Sequence, residues 1–295
     1  MSNGIQNFAD VPDGYLYYRT RGQGQDVVLF NAGTADLRMW DTTAAWLTQI
    51  ARVTTFDYRD TGLSSAGTAP YSEIDDVAAV MDDAGVSSAV LVGCSDGGRR
   101  ALAFAHQYPD RARRVVVVDG SFGDFPDPSP EETAAWQEML TKFTEIDRVL
   151  VAEGVRAAAE VDTDAWGPAL ASGDRRLLIG LQVANTHRIM LQDFLGGEYL
   201  GRELEPPVKT RFREITTPVS VLLGGRDFTG TALWAQRLVS QAPGATLSVI
   251  PEADHFPMLS APQEFERILR ELLQSPLPPR PGLSEARSEH PAGRR

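Results

Sequence analysis

The sequence predicts an α/β fold in which helices cover both faces of a doubly wound, mainly parallel sheet that carries a helical insertion. Short β-branched runs recur along the chain, each followed by a helical pattern, and each run is apolar throughout. Such runs are typical of strands buried on both faces of a parallel sheet. The alternation stops between residues 123 and 212, where no convincing strand pattern appears. We therefore divide the chain into an α/β core (1–123 and 213–274), a helical lid (124–212) and a tail (275–295).

Turn residues and helix-boundary residues locate the elements of the core. The turn residues Pro12-Asp13-Gly14 predict a hairpin of two strands, at residues 5–11 and 15–20. The other predicted strands cover residues 27–30, 52–56, 88–92, 114–119, 219–223 and 246–250. The predicted helices cover residues 41–50, 72–84, a segment that begins just after residue 95, 231–241 and 262–274.

The lid carries two helical patterns and no strand pattern. The first extends from residue 131 to about residue 159, and the second from residue 174 to about residue 195. We interpret this segment as an insertion into the core and not as an independent domain. The tail is rich in Pro, Gly, Ser, Arg and Glu, which predicts disorder.

Composition and charge exclude several classes of protein. The 295 residues carry a net charge of −12, which disfavours binding to nucleic acid or to an anionic membrane surface. Cys94 is the single cysteine, so neither an intrachain disulfide nor a cysteine-based zinc cluster can form. We find no apolar run of membrane-spanning length and no signal-peptide pattern, and we expect a cytoplasmic protein.

The stretch Gly93-Cys94-Ser95-Asp96-Gly97 lies between a predicted buried strand and a predicted helix. Only small neighbours let the backbone reverse from strand to helix so tightly, and the serine at the tip is then held strained with its hydroxyl exposed. The pattern indicates a nucleophile; the alternative is a serine in a tight turn without chemistry. For Cys94, a buried and inert thiol is the favoured interpretation.

A serine hydroxyl becomes a good nucleophile only when a base takes its proton. Of the four histidines, His255 alone follows a predicted strand in a short loop, at the sheet edge where we also expect Ser95. Asp227 follows the preceding strand and is placed to hold the imidazole. Asp227 could instead cap a helix that starts near residue 230, and Asp119 offers a rival position for the acid.

The order Ser95, Asp227, His255 and four motifs resemble the α/β-hydrolase family over residues 27 to about 273. The motifs are Gly93-Cys94-Ser95-Asp96-Gly97-Gly98, Asp57-Tyr58-Arg59-Asp60-Thr61-Gly62-Leu63-Ser64-Ser65, Leu223-Gly224-Gly225-Arg226-Asp227 and Ala253-Asp254-His255-Phe256. The resemblance implies a single-domain enzyme with a helical lid. It also implies an oxyanion hole formed by the backbone N–H groups of Gly33 and Asp96.

Two positions depart from that pattern. Asn31 and Ala32 stand where the family often has His-Gly, which could change the geometry of the loop before Gly33. Asp96 places a carboxyl beside the expected oxyanion, and like-charge repulsion there would oppose catalysis. Its side chain must therefore point away, be protonated, or bind a cationic or hydroxyl-bearing group.

We expect a serine hydrolase that cleaves a small carboxylic ester or lactone through an acyl-enzyme, with no metal and no cofactor. One alternative keeps the fold but cleaves a C–C bond or cyclises a natural product with the help of Asp96; another is a small-molecule receptor without catalysis. The expected partner is a small molecule, and a homodimer remains open. Candidate pocket residues, each of which could equally be core packing, are Asn31, Trp136, Trp166, Met190 and Phe256.

Overall fold

A computed structural model of the chain describes residues 5–194 and 200–276, without the side chains of residues 187–194. Its main element is an eight-stranded sheet in the order β1-β2-β4-β3-β6-β7-β9-β10. The antiparallel pairs are β1 with β2 and β2 with β4, and all other neighbours are parallel. The strands of this sheet are β1 (Ile5–Val11), β2 (Gly14–Arg21), β3 (Asp26–Phe30), β4 (Arg52–Phe56), β6 (Ala89–Cys94), β7 (Ala112–Val118), β9 (Val219–Gly224) and β10 (Thr246–Ile250).

Helices flank this sheet. Those of the core are α1 (Asp41–Leu47), α2 (Glu73–Asp83), α3 (Asp96–Gln107), α7 (Thr229–Gln241), α8 (Pro257–Ser260) and α9 (Pro262–Gln274). The central helix α3 packs against β6 and β7, because its run of alanine, leucine and phenylalanine is buried along that side. The mainly parallel α/β architecture expected from the sequence is thus confirmed.

The register of the parallel strands brings their carboxyl ends to one edge of the sheet. Phe30 pairs with Gly93, Cys94 pairs with Val118, and Val118 pairs with Leu222. The loops after β3, β6, β7 and β9 therefore begin side by side, and residues from these loops can meet above the sheet. The strands themselves are buried; β6 is buried at all six positions, which explains its uniformly apolar sequence.

The segment between β7 and β9 holds three long helices, α4 (Pro130–Glu153), α5 (Val155–Trp166) and α6 (Ser172–Phe194). Two expectations about it were wrong. The helix expected at 131–159 is broken, because Gly154 adopts a φ of 91° that ends α4. A two-residue strand, β8 (Gly201–Arg202), also pairs with β5 (Tyr71–Ser72), and a strand so short leaves no periodic signal in the sequence.

Within residues 5–194 and 200–276, each helix is too short or too polar to cross a lipid bilayer. The tail was expected to be disordered, but from residue 277 onward it lies outside the described part of the chain.

Candidate active site

Ser95 lies at the sharp turn from β6 into α3, with φ 56° and ψ −122°. Such a φ is unusual for a serine and stores strain at a position where structure on both sides determines it. The backbone is crowded here. A Cβ on Gly93 would lie 2.2 Å from the Gly97 carbonyl oxygen, and a Cβ on Gly97 would lie 2.5 Å from the Phe30 oxygen. The two glycines of the motif are therefore required by close approach of the backbone.

His255 and Asp227 form a hydrogen-bonded pair at the same edge. His255 Nδ1 lies 2.6 Å from Asp227 Oδ2, and the exposed fractions of the two side chains are 4% and 1%. The second carboxylate oxygen, Oδ1, accepts the Phe228 N–H at 2.7 Å. Asp227 makes no capping hydrogen bond to α7. A buried carboxylate of this kind fixes the imidazole with its proton on Nδ1, which leaves Nε2 free to accept a proton.

Asp119, the rival acid, lies next to Asp227 but has a different partner. Its Oδ1 accepts the backbone N–H of Gly224 at 2.8 Å. Complete burial, together with the neighbouring charge of Asp227, raises the pKa of the Asp119 carboxyl well above its usual range. Burial therefore disfavours the charged form of Asp119, which bonds to the backbone, whereas Asp227 bonds to the imidazole of His255, so the two carboxyls do not play the same role.

Asp119, Asp227 and His255 also offer three ligand atoms within 4.8 Å of one another. The geometry between Asp227 and His255 is that of a hydrogen bond, because their atoms are only 2.6 Å apart. Two ligands of a tetrahedral zinc ion, with bonds of about 2.0 Å, lie roughly 3.3 Å apart. The residues present fit a hydrogen-bonded chain better than they fit a metal site.

A cavity of about 220 Å³ opens above Ser95 and His255. The core contributes the loop after β3, the start of α3 and the loops after β7 and β10, while the lid contributes α4, α5 and α6. Its lining consists of Ala32, Gly33, Thr34, Ala35, Ser95, Asp96, Ser121, Phe143, Asp162, Trp166, Leu178, Gln182, His255 and Phe256. A concave and mostly apolar pocket with a few convergent polar groups is the usual form of a small-molecule site.

The carboxyl of Asp96, which the sequence analysis left unresolved, is held by two arginines. Asp96 Oδ1 lies 2.6 Å from Arg99 Nε, and Oδ2 lies 2.6 Å from Arg100 Nε. Glu73 of α2 bonds the same two guanidinium groups at 2.8 and 2.7 Å. Burial alone would raise the pKa of Asp96, but the charges of Arg100 and Arg99 outweigh it and hold that pKa well below its usual range. Asp96 is thus ionised and its charge is compensated.

The loop after β3 brings Gly33 to the start of α3. A Cβ on Gly33 would lie 3.8 Å from the Asp96 Cβ, so the backbone of Gly33 stands beside that of Asp96. Asn31, which replaces the usual histidine, is fully buried and donates from Nδ2 to the Phe56 carbonyl at 2.7 Å. It anchors this loop to the end of β4.

His255 is also fixed from the side of the lid. Its backbone N–H donates to the Trp166 carbonyl at 3.2 Å, and the two rings lie 4.6 Å apart between centroids. The neighbouring Asp254 accepts the Ala169 N–H at 2.8 Å and the Phe256 N–H at 3.0 Å. The C-terminal end of α5 is therefore bonded directly to the loop that carries the imidazole.

A strained serine at a strand-to-helix turn, with an Asp–His pair and a lidded cavity, is the geometry of one large family of enzymes. The model of the alpha/beta hydrolase family matches residues 27–268 of this chain. The chain belongs to the α/β hydrolase family.

Several relatives of this α/β hydrolase carry the names of hydrolytic enzymes. RutD of Caulobacter sp. (strain K31), for which the name proposes carbamate hydrolysis, is 26% identical over 258 residues, 85% of this chain and 92% of RutD. The 3-oxoadipate enol-lactonase 2 of Acinetobacter baylyi is 26% identical over 267 residues, 88% and 93% of the two chains. The solved structure of the esterase RhEst1 from Rhodococcus sp. ECU1013 superposes with a TM-score of 0.74 at 21% identity, over 94% of this chain and 100% of that chain. This hydrolase is therefore an enzyme of the α/β hydrolase fold.

The pocket residues expected from the sequence divide into three groups. Trp166 and Phe256 line the cavity. Asn31 and Trp136 do not: the first is buried behind the loop that it anchors, and the ring of the second packs 6.0 Å from that of Trp234. The side chain of Met190 lies outside the described residues.

The structure of the hydrolase adds lining residues that sequence reasoning missed. They come from the lid helices and from the loop after β7, and they are Phe143, Asp162, Leu178, Gln182 and Ser121. No local signal marks them, because one turn of an amphipathic helix looks the same whether it faces a cavity or packed side chains. The one usable hint is Asp162, because the residues three and four positions before and after it, on the same side of the helix, are Ala158, Ala159, Ala165 and Trp166.

Proposed function

We propose that this protein is a serine hydrolase that cleaves a small carboxylic ester or lactone through an acyl-enzyme. The observation that supports this most is the 2.6 Å bond between Asp227 and His255 beside a cavity that Ser95 and His255 both line. A base already oriented by a buried acid, next to a strained serine, is what acyl transfer requires.

In the proposed reaction, Ser95 Oγ attacks the acyl carbon while His255 Nε2 takes the hydroxyl proton. Asp227 holds the imidazole and stabilises the imidazolium that forms. The imidazolium then protonates the leaving oxygen, so the C–O bond of the ester breaks and the alcohol departs. A water molecule attacks the acyl-enzyme with His255 as base, which releases the acid and restores the Ser95 hydroxyl.

The proposed oxyanion hole consists of the backbone N–H groups of Gly33 and Asp96. Asp96 is the first residue of α3, so its N–H has no acceptor within the helix and lies at the positive end of the helix dipole. The side-chain charge of Asp96 does not oppose this role, because Arg99 and Arg100 compensate it.

The same pairing weighs against the alternative in which Asp96 acts as an extra acid or base in C–C cleavage or cyclisation. A carboxylate held by two guanidinium groups is a poor proton acceptor, and its depressed pKa leaves it without a proton to donate at neutral pH. The pre-formed Asp227–His255 pair weighs against a role as a receptor without catalysis, because ligand binding does not need such a pair.

The test is hydrolysis of short p-nitrophenyl esters together with labelling by a fluorophosphonate probe. Ser95→Ala should lower kcat at least 1000-fold and abolish labelling. Ser121→Ala, which removes the other serine of the cavity lining, is the matched control and should keep its label. Unchanged turnover in Ser95→Ala would remove this serine from the mechanism, and a larger loss in Asp96→Asn than in Ser95→Ala would favour the alternative chemistry.

We extend the proposal to the setting of the reaction. The net charge of −12 supports a small-molecule substrate and neither nucleic acid nor membrane as partner. The reaction proposed uses water as its only co-substrate. A cytoplasmic location and the oligomeric state stay predictions.

A further inference from the structure

One ionisable side chain of the catalytic cavity takes no part in the reaction proposed above. Asp162, on the lid helix α5, lines the same cavity as Ser95 and His255, and its side chain is half-buried. Among the described residues, the ionisable groups of this lining are Asp96, Asp162 and His255, and neither lysine nor arginine is present in it. The cavity therefore contains two carboxyls, of which Asp96 alone is paired with cations.

The partners of Asp162 are neutral donors. Burial raises the pKa of the Asp162 carboxyl to about 6, and interactions with the side chains of Gln182 and Trp166 and with His255 oppose that rise only in part. At neutral pH the group is mostly ionised. It forms no ion pair with a lysine or arginine among the residues whose side chains are described.

The neighbouring acids on the same helix are paired. Asp164, two residues further on, lies 2.6 Å from Arg175 Nε, and Glu160 lies 3.1 Å from Arg156 Nε. Both of those pairs are on the solvent side of α5, where unpaired acids would be tolerated. Of these three acids, the one without a lysine or arginine partner among the described side chains is thus the one that lines the cavity, where a charge without a partner is costly.

We propose that Asp162 determines substrate specificity by binding a hydrogen-bond donor of the substrate, an ammonium group in preference to a hydroxyl. This inference rests on the serine-hydrolase function proposed above and adds the class of substrate to it: a small ester or lactone with such a group on its acyl part. A charged donor would supply the positive charge that the lining lacks. A substrate with a carboxylate at that place would meet an uncompensated negative charge and be rejected.

Four p-nitrophenyl esters with the same six-carbon acyl chain test this on the full-length protein: those of 6-aminohexanoic, 6-hydroxyhexanoic, hexanoic and hexanedioic acid. We expect kcat/KM to fall in that order, with at least a tenfold advantage of the amino ester over the hexanoate. Asp162→Asn should reduce that advantage at least tenfold. Asp164→Asn, on the solvent side of the same helix, should leave all four rates unchanged within a factor of about two.

Two outcomes would overturn the proposal. In the first, the wild type distinguishes the four esters by less than threefold. In the second, Asp162→Asn lowers all four rates by the same factor, which would mean that Asp162 supports the fold or the imidazole and does not select substrates.

Failure of the hydrolase function itself would look different, because none of the four esters would then be cleaved and Ser95 would not be labelled. In that case, the affinities of hexylammonium, 1-hexanol and hexanoate, measured by calorimetry, test the role of Asp162. Hexylammonium should bind at least tenfold more tightly than hexanoate, and Asp162→Asn should remove that difference. Equal affinities in the wild type would refute the role of Asp162 independently of catalysis.

Discussion

The two walls of the catalytic cavity are built differently. The core wall carries Ser95, His255 and Asp96 on loops at the ends of paired strands, and its carboxylates are matched: Asp227 to His255, and Asp96 to two arginines. The lid wall carries Asp162, whose pKa is raised to about 6 by burial and which has no lysine or arginine partner among the described side chains. In the proposed reaction, the reacting groups therefore lie on loops that the paired strands position, while the residues that would face the rest of the substrate lie on the lid helices.

The largest effect should come from the acids of the core wall. Asp227→Asn should lower kcat about 10⁴-fold, because the amide disfavours the tautomer with the proton on Nδ1. Asp119→Asn should cost less than about tenfold, because burial already disfavours the charged form of this carboxyl and the amide oxygen can still accept the Gly224 N–H. Steady-state kinetics on a p-nitrophenyl ester measures both. Equal losses would show that Asp119 serves as the catalytic acid.

The pairing of Asp96 with two arginines in the core wall should contribute to the free energy of unfolding. Asp96→Asn leaves two buried guanidinium groups short of one carboxylate, and we expect about 3 kcal/mol less free energy of unfolding in urea titrations. Asp82→Asn, which breaks an exposed bridge to Arg111, is the control and should cost less than about 1 kcal/mol. If both substitutions cost the same, the other carboxylate partners of the two arginines, Glu73 and Glu203, are sufficient to compensate them.

Asn185 of α6 is one of the residues that attach the lid wall to the core. Its Nδ2 donates to the Thr34 carbonyl at 3.0 Å and to Asp36 Oδ2 at 3.1 Å, and its Oδ1 accepts the Gly62 N–H at 3.0 Å. Asn185→Ala should lower the free energy of unfolding by about 2 kcal/mol, because buried groups lose their partners.

That substitution should also raise KM, since Thr34 lies in the cavity lining. The exposed Gln137→Ala on α4 is the matched control and should change neither quantity measurably. A normal KM in a destabilised Asn185→Ala would mean that the lid holds its position over the cavity without this anchor.

The smallest effect expected is a pH dependence of stability with opposite signs at two acids of α5. The pKa of Asp162 is raised from 3.8 to about 6, so its ionisation opposes folding, and stability falls as pH rises through that window. Asp162→Asn should therefore raise the free energy of unfolding above that of the wild type by about 1–2 kcal/mol more at pH 8 than at pH 4. The difference is smaller than the full pKa shift implies, because water in the cavity screens part of the cost.

Asp164 provides the comparison with the opposite sign. Its hydrogen bond to Arg175 lowers its pKa, so its stabilising contribution is present above the usual pKa of an aspartate and is lost as pH falls. Asp164→Asn should destabilise the protein by a few tenths of a kcal/mol at pH 8 and have no effect at pH 3. Thermal unfolding of the three proteins across pH 3–8 measures both, and parallel pH curves for the two variants would contradict the assigned pKa directions.

Local sequence signals predicted the core with little error. The strand Arg52–Phe56 and the helix Pro262–Gln274 have the predicted bounds, and the helix predicted at 72–84 is observed at Glu73–Asp83 with Ser72 as its N-cap. The lid was predicted less well: the break at Gly154 and the short strand Gly201–Arg202 were missed. A glycine in a helical pattern usually stays helical, and a two-residue pairing depends on a distant partner, so neither leaves a local signal.

For the candidate site, the sequence located the residues but not their relations. It named Ser95, Asp227 and His255 and favoured Asp227 over its rival Asp119, but it could not say where the carboxyl of Asp96 points. Only the folded chain brings Asp227 to His255 and two arginines to Asp96. Asp162 was missed because its position in the cavity results from the packing of the lid on the core.

The sequence by itself determined the α/β architecture, the tight turn at Ser95 and the membership of the family. These follow from apolar periodicity and from the steric demands of glycine, which act between residues close in the chain. Tertiary structure alone decided which carboxyls of the cavity region have arginine partners, which ones have their pKa raised by burial, and which one lines the cavity without a lysine or arginine partner among the described side chains. The ionisation of a carboxyl depends on burial and on charges within a few ångströms, and residues distant in the sequence supply both.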